Sequence, residues 1–180
     1  MALSKIDAVN FLTGTIPSGN VANATLNAVT ALPGAIATGK VLQVVTATDT
    51  TQRNTSSTSF VTASNTLSVD ITPASTSNKI YVLCSYTAYQ NVSGKNAGFT
   101  LYRETTDIGS GTWGMINTFD VGDSGNPRTI GNPMTLSILD SPSSTSAQTY
   151  QLYVKTESGG AVYINYDNIK SSITTFEIAG

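Results

Sequence analysis

The stretch AQTYQLYVKT, residues 147–156, decides the fold. Tyr150, Leu152 and Val154 alternate with residues that point the other way, so an extended chain would place these three on one face. The stretch TLSVDIT, residues 66–72, shows the same period of two. Each stretch therefore predicts a β-strand with one buried face and one solvated face.

Similar runs rich in Val, Ile, Thr, Tyr and Phe recur from Val41 onward, separated every 8–12 residues or so by Ser, Asn, Gly, Asp and Pro. This spacing is typical of an all-β sandwich. The predicted strands lie at 41–48, 59–62, 66–72, 78–89, 97–105, 112–119, 134–139, 147–156, 161–166 and 171–180. Between them we place Pro73, Pro127, Pro133 and Pro142, where a missing N–H removes no ladder hydrogen bond.

Some of the predicted strands are apolar on both faces. In the run 78–89, Ile80 and Val82 face one way while Tyr81 and Leu83 face the other. The first and the last predicted strands show the same pattern. Because a single sandwich has one inner layer, a second apolar face needs another partner. A neighbouring copy of the chain is the economical source, so we expect an oligomer.

The scarcity of charge excludes several classes of protein. Only 11% of the 180 residues are charged, and the nine Lys and Arg residues form no stripe that would neutralise a run of phosphates. Nucleic acid is therefore not an expected partner. No apolar run is long enough to cross a bilayer, and the N-terminus lacks the layout of a signal peptide. Cys84 is the sole cysteine, which fits synthesis in a reducing cytoplasm.

The chain has no histidine, which excludes the Ser-His-Asp and Cys-His relays and any His-ligated metal. The string GDSGNP, residues 122–127, matches the surroundings of a serine protease nucleophile, but Ser124 has no histidine base, so we predict a turn. The string GSGTWG, residues 109–114, fits G-x-G-x-x-G. Since a strand rather than a helix is expected after it, we predict a hairpin loop and no bound dinucleotide.

The first forty residues differ from the rest, because no charged residue lies between Asp7 and Lys40. We expect an extended N-terminal arm, residues 1–40, that packs on other copies or on a docking partner. A short helix over 21–29 is the alternative, although its Asn and Thr residues weaken it. The candidate anchoring residues share apolar side chains and are Leu12, Ile16, Val21, Leu26, Val29 and Leu32.

The phrase FLTGTIPSGNVANATLNAVTALPGAIATGK, residues 11–40, resembles the shaft segments of bacteriophage tail fibres. The following GKVLQVVTATDTTQRNTSSTSFV is similar to the start of small terminal β domains of marine and cyanobacterial phage fibres. The resemblance implies a virion protein made in the host cytoplasm, a homotrimer with a jelly-roll knob over residues 41–180 and an arm that binds other virion proteins. The short arm favours a compact spike or a capsid-decorating protein over a full fibre. The family supplies no catalytic residues.

Aromatic side chains near Asn and Asp are the usual platform for sugar rings. Five residues are candidate contacts for host surface glycans: Trp113, Tyr89, Asn91, Asp120 and Asp123. The alternative for Trp113 is a buried place at a subunit interface or at the sandwich edge. The sequence leaves open whether the knob binds glycans or only reinforces the shell.

Two carboxylate pairs, Glu104 with Asp107 and Asp120 with Asp123, have the residue types that a glycosidase uses as acid and base. Solvated loop positions are the simpler interpretation of both pairs. Asp120, Asp123 and Asn126 also offer oxygens to a cation, but their spacing does not match a calcium-binding loop. We therefore expect no enzyme activity, no metal and no cofactor.

Three functions follow, in order of preference. The first is a trimeric phage spike, fibre or decoration protein, the second is a free lectin-like carbohydrate-binding module, and the third is an enzyme that degrades polysaccharide. The fold class common to all three is an all-β, jelly-roll-like antiparallel sandwich with an extended N-terminal arm.

Overall fold

A computed structural model describes residues 40–62, 67–119 and 131–180. The predictions for the arm, including its apolar anchoring residues, lie outside the described residues. The same holds for the GDSGNP turn, for Asp120 and for Asp123.

The described chain forms twelve β-strands, most of them at the predicted positions. Their bounds are β1 Val41–Asp49, β2 Arg53–Thr55, β3 Val61–Thr62, β4 Ser68–Ile71, β5 Lys79–Gln90, β6 Asn96–Arg103, β7 Thr106–Asp107, β8 Ile116–Phe119, β9 Asn132–Asp140, β10 Gln148–Thr156, β11 Val162–Ile164 and β12 Ser171–Ile178. A one-turn 3-10 helix, Tyr166–Asn168, lies between β11 and β12.

The strands form two antiparallel sheets. Sheet A has four lines of strands: β1 continued by β2, then β12 continued by β11, then β5, then β9. Sheet B has β3 and β4 on one side of β10, then β6, then β7 and β8. We count each line as one strand and number the lines by where they lie along the chain: β1 with β2, β3 with β4, β5, β6, β7 with β8, β9, β10, and β11 with β12. The order across sheet A is then 1-8-3-6, and the order across sheet B is 2-7-4-5. This is the strand order of a jelly roll, so the predicted all-β, jelly-roll-like antiparallel sandwich is confirmed.

The inner faces of the two sheets share one apolar core. Alternate residues of β10 that were predicted to be buried, Tyr150, Leu152 and Val154, have no exposed surface. Ile80 and Val82 of β5 meet them from sheet A in the same cluster of buried side chains. The period of two in the sequence therefore identified the inner face of both sheets correctly.

Two details of the strand predictions are wrong. Pro133 lies inside β9, where it pairs with Thr87, rather than between strands. β9 is at the edge of sheet A, and an edge strand tolerates the missing N–H of proline. The strand predicted over 112–119 begins only at Ile116, because the preceding residues form a loop across sheet B. Pro73 and Pro142 do lie between strands, as predicted.

A buried carboxylate holds the segment that crosses from β4 in sheet B to β5 in sheet A. Glu177 of β12 is 1% exposed and accepts hydrogen bonds from Asn78 Nδ2 at 2.6 Å, the Ala74 N–H at 2.6 Å and Gln43 Nε2 at 2.7 Å. Burial works to raise the pKa of Glu177, and the hydrogen bonds outweigh it, so the pKa lies below its ordinary value. The crossover segment between β4 and β5 is thereby tied to the end of sheet A.

Candidate interaction surfaces

The outer face of sheet A carries a row of apolar side chains that crosses all four lines of strands. Val44 of β1 pairs with Phe176 of β12, which pairs with Tyr81 of β5, which pairs with Leu139 of β9. The rings of Tyr81 and Phe176 are 6.0 Å apart. At the two ends of the row, Val44 is 54% exposed and Leu139 is 52% exposed. We call these four residues the apolar row.

The rest of this outer face is almost free of charge. Beside the apolar row, Thr46 and Thr174 share a hydrogen bond of 3.0 Å between their hydroxyls, and Thr174 pairs with Leu83. Within the described strands of sheet A, Lys79 at the start of β5 is the only charged residue that alternates onto the outer face. Interfaces are depleted of charge at their centres, and the strands of this face share that property.

A second aromatic group lies at the other end of β5, on the same outer face. The ring of Tyr89 is 5.6 Å from that of Tyr163 and 4.8 Å from that of Tyr166. Tyr89 and Tyr163 are a cross-strand pair between β5 and β11. All three rings are half-buried. We call these residues the tyrosine group.

The outer face of sheet B carries a different set of side chains, which we call the sheet B aromatic group: Phe60, Tyr102, Trp113, Tyr153 and Lys155. The rings of Tyr102 and Tyr153 stack at 3.9 Å with 17° between their planes. The ammonium of Lys155 is 4.9 Å from the centre of the Phe60 ring and 4.7 Å from that of Trp113. All five side chains are half-buried, so each keeps some surface open to solvent.

The loop 108–115 positions Trp113 over sheet B. A Cβ on Gly98, on the outer face of β6, would lie 2.6 Å from the Trp113 carbonyl oxygen. A Cβ on Gly114 would lie 2.6 Å from the Phe99 carbonyl oxygen, and Gly114 has a φ of +76°. Glycine is therefore required at both positions for the loop to lie flat on the sheet. The GSGTWG string is a loop, as predicted, but not the predicted hairpin, because the strands that it joins, β7 and β8, both pair with β6. Of its glycines, Gly114 serves this close approach, whereas a Cβ on Gly111 would meet no atom closer than 3.8 Å.

Two of the predicted carboxylates fix loops. Asp107 Oδ1 accepts hydrogen bonds from the Thr100 hydroxyl at 2.6 Å and from the Gly109 N–H at 2.9 Å. Glu104 Oε1 accepts a hydrogen bond from the Thr149 N–H at 2.7 Å. Both carboxylates thus have a structural role. Glu104 is exposed in a turn, as the simpler interpretation of the sequence predicts, whereas Asp107 is half-buried in β7 rather than solvated in a loop.

The structure separates the predicted glycan contacts. Tyr89 belongs to sheet A and Trp113 lies against sheet B, so they are members of different aromatic groups. Asn91 Oδ1 accepts a hydrogen bond from the Ala161 N–H at 2.8 Å, which joins the two loops next to β5 and β11. Sequence reasoning missed the partners of Trp113. The alternation in AQTYQLYVKT places Tyr153 and Lys155 on the outer face, but no sequence signal brings Phe60 next to them.

Other kinds of site find little support in the part of the chain that the structure describes. No group of three or more His, Cys, Asp or Glu residues there is arranged to hold a metal ion. Across the same residues, no helix has the length and apolar character needed to span a membrane. Cys84 is fully buried in β5, and burial raises the pKa of its thiol to about 12, so it is protonated at neutral pH.

Comparison with known proteins assigns no family. No protein-family model matches the sequence, and no curated protein matches it significantly. Solved structures that align with it include VP2 from a subviral particle of infectious bursal disease virus, with a TM-score of 0.38 and 18% identity over 77% of this chain. Another comes from the T13 particle of that virus, with a TM-score of 0.41 and 16% identity over 79% of this chain. Eiger TNF from S. frugiperda aligns with a TM-score of 0.37 and 12% identity over 76% of this chain.

The alignments differ in how much of each known structure they span. The chain corresponds to 38% of the length of VP2 and 36% of the chain from the T13 particle, but to 93% of the Eiger TNF chain. At TM-scores below 0.5 these likenesses assign no function. The jelly-roll architecture is established by the strand pairing itself.

Proposed function

We propose that this protein is a non-enzymatic structural protein of a bacteriophage virion: a homotrimeric spike, fibre tip or capsid-decorating protein that residues 1–40 hold to other virion proteins. The outer face of sheet A carries the proposal, because its described strands hold the apolar row and, pointing outward, a single charged residue, Lys79. The resemblance of residues 11–40 to fibre shafts supports placement on a virion.

The physical case for assembly is the cost of leaving this face in water. Val44 and Leu139 each expose about half of their surface, and the half-buried rings of Phe176 and Tyr81 lie between them. Removing apolar surface from water contributes about 25 cal/mol per Å². Identical copies that meet through an uncharged face do not repel one another, so no ion pair is needed for assembly.

The mass of the full-length protein in solution tests this proposal. Sedimentation equilibrium at micromolar concentration is expected to give threefold the chain mass of 18.8 kDa. A protein that stays monomeric across that range overturns the assembly.

Placement on the virion needs a separate test. Deleting residues 1–40 from the gene in the parent phage is expected to abolish incorporation of the protein into purified particles, measured by mass spectrometry of the particles. Normal incorporation without those residues contradicts an anchoring role for the arm.

A second candidate is a free lectin-like module, which the sheet B aromatic group favours. In the virion proposal this face points outward from the trimer and contacts host surface glycans. In the lectin alternative the protein binds glycans as a monomer and the arm is dispensable. The mass measurement and the arm deletion distinguish the two.

A further inference from the structure

We propose that the sheet B aromatic group binds a carboxylated saccharide, whose ring stacks on Trp113 and whose carboxylate pairs with the ammonium of Lys155. The inference rests on the proposed contact of the knob with host glycans and specifies its face, its residues and the chemical class of its ligand.

These aromatic residues are not part of the core. On β10 the core residues are Tyr150, Leu152 and Val154, so Tyr153 and Lys155 point away from it. On β6 the core residues alternate with Tyr102 in the same way. The rings of Phe60, Tyr102 and Tyr153 are in contact, and Trp113 joins them through the Lys155 ammonium. Together they offer an apolar surface of the kind on which the C–H faces of sugar rings stack.

The surroundings of the Lys155 ammonium indicate the charge of the ligand. The described ion pairs join Arg53 to Asp49 and Arg103 to Asp140, and in the described part of the chain no carboxylate lies within ion-pair distance of Lys155. The ammonium is held by the faces of Phe60 and Trp113 instead. Ring contacts of this kind are weak compared with a charge-assisted hydrogen bond to a carboxylate. A half-buried cation that contacts two ring faces and has no described ion-pair partner therefore favours an anionic ligand over a neutral one.

The site is already organised before a ligand binds. The backbone around Trp113 is fixed by the close approach to Gly98 and by the hydrogen bonds of Asp107 to Thr100 and Gly109. The stacked pair of Tyr102 and Tyr153 supports its neighbour Phe60, whose ring lies 6.5 Å from that of Tyr102. Because these side chains are already ordered, binding loses little conformational entropy.

Trp113 provides the measurement, since it is the only tryptophan in the chain. The full-length protein is titrated with 3′-sialyllactose and, separately, with trigalacturonic acid, while the tryptophan emission is recorded. Lactose and the methyl ester of trigalacturonic acid are the matched neutral probes, and sodium acetate tests the carboxylate alone. We expect a saturable change in emission with at least one acidic saccharide, and binding at least tenfold weaker with its neutral partner. The acidic saccharide that binds identifies the ligand as a sialic acid or a uronic acid.

Substitutions of Lys155 test the role of the cation. Lys155→Gln is expected to weaken binding of the acidic saccharide by about tenfold or more, and Lys155→Arg is expected to retain most of it. Lys170→Gln removes an exposed lysine from the turn before β12 and is the matched control, with no expected change. Added salt is expected to weaken binding in the parent protein but not the residual binding of Lys155→Gln.

Three results overturn the inference: no saturable response to any acidic saccharide, equal affinity for the acidic and neutral partners, or equal affinity of the parent and Lys155→Gln. The mass of each sample is measured in parallel. A trimer that binds no acidic saccharide overturns this inference and leaves the assembly standing, whereas a monomer that binds overturns the assembly and leaves the binding site standing.

Discussion

The two outer faces of the sandwich are built on the same alternation of residues but differ in charge. Within the described strands of sheet A, Lys79 is the single charged residue on the outer face, at its margin. On sheet B, Asp70, Asp107 and Lys155 all lie on the outward side of their strands. Both faces carry aromatic rings, so aromatic content does not distinguish them. The distribution of charge does, and in the proposed assembly sheet A is the covered face while sheet B faces water.

The faces also differ in shape. The apolar row follows one level across four lines of strands, and no described loop is hydrogen-bonded across it. The sheet B aromatic group is enclosed on one side by the loop 108–115, whose Met115 N–H donates to the Phe99 carbonyl at 2.8 Å. An open row suits another copy of the chain, and a partly enclosed group suits a small ligand.

The largest effect is expected from a charge placed in the apolar row. Leu139→Lys is expected to convert the trimer to a monomer, because three copies would each bring an unpaired ammonium into an apolar contact. Leu139 is exposed in the single chain, so the substitution leaves the fold intact. Sedimentation velocity measures the mass, and circular dichroism checks the fold.

The matched control puts the same charge on the other face. Thr62→Lys, at an exposed position of β3 in sheet B, is expected to keep the trimer mass. Dissociation by Thr62→Lys together with retention of the trimer in Leu139→Lys would reverse the assignment of the two faces.

The next largest effect is expected at Glu177, which fastens the crossover between the faces. Glu177→Ala leaves the side-chain amides of Asn78 and Gln43 and the Ala74 N–H without their acceptor, at a cost of about 3 kcal/mol in the free energy of unfolding. Urea denaturation measures this loss. A loss below about 0.5 kcal/mol would mean that water replaces the carboxylate and that the crossover is not tied down.

Glu177 also makes stability depend on pH. Its pKa in the folded protein lies below the ordinary value of 4.5, so its contribution is fully present above that value and is lost as the pH falls through the folded pKa. The parent is therefore expected to lose more stability on acidification below about pH 4.5 than Glu177→Gln does. Parallel acid dependence of the two proteins would contradict the lowered pKa.

A smaller effect is expected from the glycine beneath Trp113. Gly98→Ala places a Cβ against the Trp113 carbonyl, which displaces the loop from sheet B. We expect a loss of about 1–3 kcal/mol in stability, a red shift of tryptophan emission and an unchanged trimer mass. Ser110→Ala, at an exposed position of the same loop, is the control and is expected to change none of the three. A trimer lost in Gly98→Ala would show that the two faces are coupled.

The fold was predictable from the sequence because a period of two needs no partner to be recognised. Leu152 and Val154 are buried in β10 as their alternation indicates. The apolar row was predictable only in part. The two-sided pattern marked Tyr81 and Phe176 as needing cover, but the row depends on the register of four strands distant in sequence, and local patterns do not contain register.

The sites were less predictable than the fold. Glu177 shares the inward side of β12 with Ile173, and its alternation alone would make it an unexplained buried charge. Its donors come from β1 and from the segment before β5, which only the folded chain brings together. Phe60 reaches Lys155 through the pairing of β3 with β10, again a contact between distant strands. Side chains that act through partners far along the chain leave no local signal.

The smallest expected effect is at Lys79, and its size locates the margin of the covered face. Lys79 pairs with Ile178 at the end of β12, two residues along the strand from Tyr81. If the trimer covers the apolar row and stops short of this end, the ammonium stays in water, and Lys79→Ser changes the free energy of assembly by no more than about 0.5 kcal/mol. Sedimentation equilibrium at low and high salt measures the change. A gain in the free energy of assembly well above that value at low salt, and absent at high salt, would place Lys79 inside the interface. Such a salt dependence arises when the substitution removes repulsion between like charges on neighbouring copies, because salt screens that repulsion.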